Sequence, residues 1–152
     1  RSPLLTRLRA LAESERPAVD DNHGTRTHAA LYHRALVARD RLCDGAPSLE
    51  GRRVALLASP GSAWVEAFFG VVLGGGVAVP LSPLYPAAEL AWFAADAGAD
   101  TLILSPDHAA RAEQISQDRR VIPLVDLFDG APHEHGSLAD LAPDATALLL
   151  YT

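Results

Sequence analysis

The residues able to do chemistry fall into a few groups. Ser59-Pro60-Gly61-Ser62 follows the apolar run Val54 to Ala58 and precedes an apolar stretch with helical character. That order, strand then turn then helix, leaves N–H groups on which an anion can dock. No lysine follows at phosphate-loop spacing, so helix capping is the preferred reading and anion binding the alternative. Gly74-Gly75-Gly76 stands in the opposite order, helix then glycines then strand, which suits the end of a helix rather than a dinucleotide site. The six histidines are His23, His28, His33, His108, His133 and His135. His28 and His33 lie five residues apart and miss the spacing that puts two ligands on one helical face. His133-Glu134-His135 can offer a metal two imidazoles, but a solvated loop is the simpler reading. Cys43 sits near a helix end among apolar neighbours and reads as a small packing residue. No nucleophile elbow, zinc-spaced Cys/His set or obvious carboxylate dyad appears, so the sequence offers no catalytic residue and no metal ligand. Trp64, Phe68 and Phe69, and the pair Trp92/Phe93, have near-helical spacing and read as core. Tyr85, between Pro83 and Pro86, sits in a stiff loop at a strand exit, where ligand contact is common. Packing remains its preferred role.

The elements that position these residues centre on Arg52 to Leu90. Val54 to Ala58 reads as a parallel strand buried on both faces, because it is short and continuously apolar. Ala63 to Leu73 carries Glu66 as its only charge and predicts a mostly buried helix. Gly74 to Gly76 ends it, since glycine adopts left-handed backbone without a Cβ penalty. Val77 to Val79 predicts the next strand, stopped by Pro80. Upstream, Ser2-Pro3 opens a short amphipathic helix through Ala12. Residues 17–20 and 25–27 flank Asp21-Asn22-His23-Gly24, which suits a hairpin. Thr27 can cap a helix from His28 to Leu42. Downstream, Ala87 to Ala97 predicts a helix ended by Gly98, and Thr101 to Leu104 a strand. Asp107 to Gln117 predicts a polar, exposed helix. Val121 to Val125 predicts a strand near an edge, because Pro123 cannot donate to a ladder. Phe128 to Asp144 reads as loop, and Ala145 to Tyr151 as a last buried strand. The alternation predicts one α/β domain over residues 1–152: an open, mostly parallel sheet with helices on both faces. Ligands in such sheets sit outside the carboxyl ends of the strands.

Composition excludes several classes. The chain has 152 residues, of which 49% are apolar. That is enough for a real core. Thirteen basic residues against nineteen acidic ones give a net charge of −6. With no basic cluster, nucleic acid is not the expected partner. No apolar run reaches the ~18 residues that span a bilayer, so no membrane partner is expected. A single cysteine points to a reducing, cytoplasmic setting.

Val71 to Leu90, VVLGGGVAVPLSPLYPAAEL, resembles the signature of the acyl-adenylate-forming (AMP-binding) superfamily: a small-residue glycine turn, a strand ending Val-Pro-Leu, a proline-containing loop, then a helix near Glu-Leu. Thr25 to Leu42 resembles an earlier family motif, with Arg26-Thr27-His28 in place of its usual Leu-Thr-Tyr. Asp96 to Ala99 followed by a strand also fits. In that family the strand ending Tyr-Thr runs into Ser-Gly-Thr-Thr-Gly, the loop that holds the ATP phosphates, and Tyr151-Thr152 stands at that point. The finer likeness is to malonyl-CoA synthetases. The resemblance implies the N-terminal subdomain of the adenylate-forming fold, truncated before the phosphate loop. It implies a parent carboxylate–CoA ligase of fatty acid metabolism, using ATP, Mg²⁺ and coenzyme A on a small carboxylic acid. The fragment is expected to be inactive alone, with the rest of the same chain as its partner. Thr152 is carried over as the opening of the phosphate loop. Ser82, Tyr85 and Arg111, in loops Ser82 to Tyr85 and Ser105 to Arg111, are candidates on the coenzyme A side. An uncovered strand at Ala145 to Tyr151 is expected to favour a dimer. Two rivals stand beside this reading: a nucleotide-binding domain using the Ser59–Ser62 turn, and a doubly wound interaction domain without catalysis.

Overall fold

Side-chain alternation along one strand organises the whole chain. In the computed structural model, which describes residues 2–131 and 141–152, that strand is β3 (Arg53–Leu57). Val54 and Leu56 enter one hydrophobic core, whereas Ala55 and Leu57 enter another on the opposite face. A strand buried on both sides has no use for polar alternation, hence the continuous apolar run. Its neighbours are β4 (Val77–Pro80) and β5 (Ala99–Leu104), with β6 (Arg120–Pro123) outside β5. All three pairings are parallel, with Val54 opposite Ala78 and Ala55 opposite Leu102. The sheet order β4-β3-β5-β6 puts β6 at an edge, where Pro123 loses no ladder bond.

Helices cover both faces, as predicted. On the first lie α2 (His28–Cys43) and α3 (Ser62–Leu73). On the second lies α4 (Ala87–Asp96), whose buried residues are Leu90 and Ala94. A short helix α1 (Pro3–Ala10) precedes a hairpin of β1 (Pro17–Asp21) and β2 (Gly24–Thr27). Thr27 caps α2 by accepting from the Ala30 N–H at 3.1 Å. The glycine turn ends α3 as expected, with the left-handed residue at Gly75 (φ 76°) and Gly74 still helical. Gly76 is glycine for space: a Cβ there would lie 2.7 Å from Leu49 Cδ1. No helix among the described residues is long and apolar enough to cross a membrane.

Four expectations need correction. The helix predicted over Asp107 to Gln117 is a 3₁₀ turn, Pro106–Arg111, followed by irregular chain. Ala112 and Ile115 are buried against the second face, and Arg119 donates to the carbonyls of Ala99 and Ile115 at 2.8 Å. These tertiary contacts override a helix that would have been polar all round. The fourth strand stops at Pro123, and Leu124–Phe128 forms another 3₁₀ turn. Ala145 to Tyr151 is extended but not a buried strand. It joins the β4 edge by one parallel bridge, Leu148 to Ala78. Ala147, Leu149 and Tyr151 pack inward, and Leu148 and Leu150 remain 40% and 60% exposed because no described element covers that side. Finally, Trp92 is not core: it is 60% exposed. Residues 133–135, the His-Glu-His reading, lie outside the described residues.

Candidate functional site

Three chain segments meet at the carboxyl ends of β3 and β4. The β3 exit turn runs Ser59-Pro60-Gly61 into α3. The β4 exit loop runs Leu81 to Tyr85 into α4. The terminal segment brings in Leu150 and Tyr151. Between them lies a cleft of about 630 Å³, lined by side chains that include Trp64, Leu81, Ser82, Tyr85, Phe93 and Tyr151. Among the described residues no arginine, lysine or histidine lines it. Its volume is in the range that holds small-molecule ligands, and its wall is mainly apolar.

An aromatic cluster fixes one side. Phe93 stacks on Tyr151 with ring centroids 4.6 Å apart and meets Tyr85 edge-on at 5.1 Å. The Tyr151 hydroxyl donates to Asp96 Oδ2 at 2.7 Å, which ties the terminal segment to the end of α4. The β4 loop turns tightly, with Tyr85 N–H donating to Ser82 O at 3.2 Å and Leu84 N–H to Ser82 Oγ at 3.3 Å. Leu84, at the tip, is 92% exposed.

The α3 N-terminus is already occupied. Ser62 N–H donates to Asp21 Oδ2 at 2.8 Å, and His23 N–H donates to Asp21 Oδ1 at 2.8 Å. A carboxylate carried by the β1–β2 hairpin therefore caps a helix far away in sequence. A Cβ on Gly61 would come 3.2 Å from that carboxylate. The Ser62 N–H, then the His23 N–H, lower the Asp21 pKa from 3.8 to about 2. An incoming anion would meet this fixed negative charge, so capping is the role of the Ser59–Ser62 turn. A pH dependence follows. The Asp21 contribution to stability is complete above pH 3.8 and disappears as pH falls through about 2. The Asp21→Asn variant is expected to show a smaller drop in melting temperature between pH 5 and pH 2 than the parent chain. Equal drops would remove Asp21 as the source.

The next exit, after β5, holds a polar cluster. Ser59 Oγ donates to Asp107 Oδ2 and lies 3.3 Å from His108 Nε2, while Ser59 N–H donates to Ser105 Oγ at 3.1 Å. The hydroxyls of Ser59 and Ser105 hold Asp107 below the ordinary carboxylate value. This is not a nucleophilic triad: the serine hydroxyl is bonded to the aspartate directly, not relayed through the imidazole.

Of the residues singled out in the sequence, Ser82 and Tyr85 share one wall of the cleft. Arg111 stands behind that wall and donates to the carbonyl oxygens of Pro83 and, at 3.0 Å, Tyr85. Thr152 follows Tyr151 and is exposed. Trp64 and Phe93, read as core, line the cleft. The signal for Trp64 was its place in the first turn of a helix directly after a strand exit. Phe93 carried no such signal. Cys43 is buried, and burial pushes its thiol pKa up.

Comparison with known proteins adds the following. The profile described as AMP-binding enzyme matches residues 7–152. The mitochondrial malonate–CoA ligase ACSF3 of Bos taurus is 31% identical over 156 residues, covering 95% of this chain and 26% of that protein. The chain spans about a quarter of the length of such curated relatives. The ATP-bound structure of MatB from Rhodopseudomonas palustris is 26% identical, with a TM-score of 0.83 over 98% of this chain and 32% of that one. A benzoate CoA ligase from Burkholderia xenovorans aligns at 24% identity and TM-score 0.80, over 96% of this chain and 32% of its own, a likeness of fold.

Proposed function

The chain belongs to the AMP-binding enzyme family, and from that premise we propose that it is the N-terminal part of a carboxylate–CoA ligase whose acid is malonate. In the proposed reaction a malonate oxygen attacks the α-phosphorus of ATP and expels pyrophosphate. The coenzyme A thiol then attacks the acyl carbon of the adenylate and expels AMP. The observation that carries this reading is likeness to a malonate–CoA ligase over 95% of the chain. A cleft at the carboxyl ends of parallel strands, with Tyr151-Thr152 leading to it, supports it as well.

The cleft lining limits what this segment does. Malonate carries two carboxylates, and among the described residues the wall offers them hydroxyls such as those of Ser82 and Tyr85 but no cationic side chain. In the proposed reading, charge pairing with malonate falls to other parts of the parent enzyme. The proposal assigns no metal ligand to this segment. The family's Mg²⁺ would neutralise phosphate charge elsewhere. A nucleotide site at the Ser59–Ser62 turn is disfavoured by the Asp21 cap. Cytosolic placement belongs to the same proposal, and cell fractionation that finds the parent protein in an organelle overturns that part alone.

The test is pyrophosphate release from ATP and coenzyme A with malonate, acetate or benzoate. A longer chain carrying this segment is expected to prefer malonate, and the 152-residue chain is expected to be silent. Turnover by the short chain, or no preference for malonate, overturns the proposal.

A further inference from the structure

The 3₁₀ turn Pro106–Arg111 reaches both walls of the cleft without lining it. At its start, Asp107 accepts from the Ser59 hydroxyl and His108 lies 3.3 Å from the same oxygen, which holds the β3 exit turn. At its end, Arg111 donates to the carbonyls of Pro83 and Tyr85, which holds the β4 exit loop. The two carbonyls flank Leu84 at the exposed tip, so one guanidinium spans the base of that loop. Loop carbonyls at a surface are ordinarily left to water. Here a single charged nitrogen, Nη1, donates to two of them at once, which fixes the two carbonyls relative to each other.

We propose that Arg111 is a positioning residue: it tethers the Ser82–Tyr85 wall to the turn after β5 and so sets the width of the cleft. Asp107 and His108 anchor the other end of the same turn against Ser59. The effect on catalysis rests on the ligase reading above; the tether itself does not. Arg111 is exposed, so its removal is expected to free the loop without unfolding the domain.

Hydrogen exchange on the 152-residue chain tests the tether directly. In Arg111→Ala, the amides of Ser82, Leu84 and Tyr85 are expected to exchange about tenfold faster, the order expected when charge-assisted hydrogen bonds are lost. Exchange in β3 and β5 and the melting temperature should stay unchanged. Arg111→Lys, whose ammonium stops one bond short of the Nη1 position, should fall between the two. In a longer, active chain, Arg111→Ala should raise KM for the acid or for coenzyme A by about tenfold while kcat stays within about twofold. Unchanged exchange at Ser82, Leu84 and Tyr85 overturns the proposal, as does faster exchange with KM and kcat both unaltered. An inactive parent chain defeats the ligase reading alone, and the exchange comparison still decides the tether.

Discussion

Replacing Glu66 by alanine is expected to destabilise the chain by about 3–5 kcal/mol, the range for breaking a buried ion pair from one side. Glu66 is fully buried on α3, on a helix otherwise devoid of charge. Two arginines from separate elements meet it: Arg34 of α2 through Nε at 2.6 Å, and Arg26 of β2 through Nε at 2.8 Å. Burial pushes the Glu66 carboxyl above its ordinary pKa, and the two guanidiniums pull the other way. Arg34 is further packed, with its guanidinium 4.2 Å from the centroid of the Phe128 ring. One side chain thus joins the hairpin, α2, α3 and the chain after β6. Truncating it leaves two guanidiniums about one-third exposed without a counter-charge. Melting temperature should fall by roughly 6–20 °C for a domain of this size. The result to set beside it is Glu66→Leu combined with Arg34→Leu and Arg26→Leu, which should recover much of the loss, because a packed apolar set often replaces a buried ionic triad at little cost. A Glu66→Ala chain within about 1 kcal/mol of the parent would mean that the ion pair is not what holds these elements.

Glu66 also marks where sequence reasoning reaches its limit. The helix that carries it was legible as mostly buried, but the burial of Glu66 itself was not. Nor were its partners, since Arg26 and Arg34 look like any surface arginine in sequence. The same holds for the cap on α3. The Asp21-Asn22-His23-Gly24 turn was legible as a hairpin, but the contact of Asp21 with Ser62 depends on how the hairpin docks. Local signals read well where they are self-contained: Gly74 to Gly76 after an apolar helix, Thr27 before α2, Pro123 at a sheet edge. They read poorly where distant contacts choose the path. Ala112 and Ile115, three residues apart in a polar stretch, were the only trace that residues 106–119 fold against the sheet rather than into a free helix. The cleft was half legible. Tyr85 followed from a proline-stiffened strand exit, and Ser82 from the family resemblance alone. Trp64 and Phe93 were hidden because apolar residues lining a cleft and apolar residues in a core share one pattern.

A second large effect is expected one turn further along α3. Gly70 faces α2 at its closest approach, where a Cβ would lie 2.7 Å from Ala38 Cβ, 3.1 Å from Ala35 O and 3.2 Å from Arg39 N. Two of these three are backbone atoms, so no rotamer change relieves the contact and the helices must separate. Gly70→Ala gains about 1 kcal/mol in helix propensity. Against that stands the overpacking cost, about 1–3 kcal/mol and sometimes more when the neighbours are rigid. Gly70→Val adds two methyl groups and loses the propensity gain, because β-branching restricts its rotamers in a helix. Net destabilisation of about 3 kcal/mol is expected for valine, with alanine intermediate. The two predictions are coupled through geometry. Glu66 and Gly70 stand four residues apart on one face of α3, and Arg34 and Ala38 stand four apart on the facing side of α2. Widening the seam at Gly70 also lengthens the 2.6 Å pair beneath it. The double variant Gly70→Val with Glu66→Ala should therefore cost less than the sum of the singles, by about 0.5–3 kcal/mol. Denaturant midpoints of the four chains decide it. Strict additivity would show that the steric seam and the ion pair hold α2 and α3 together independently.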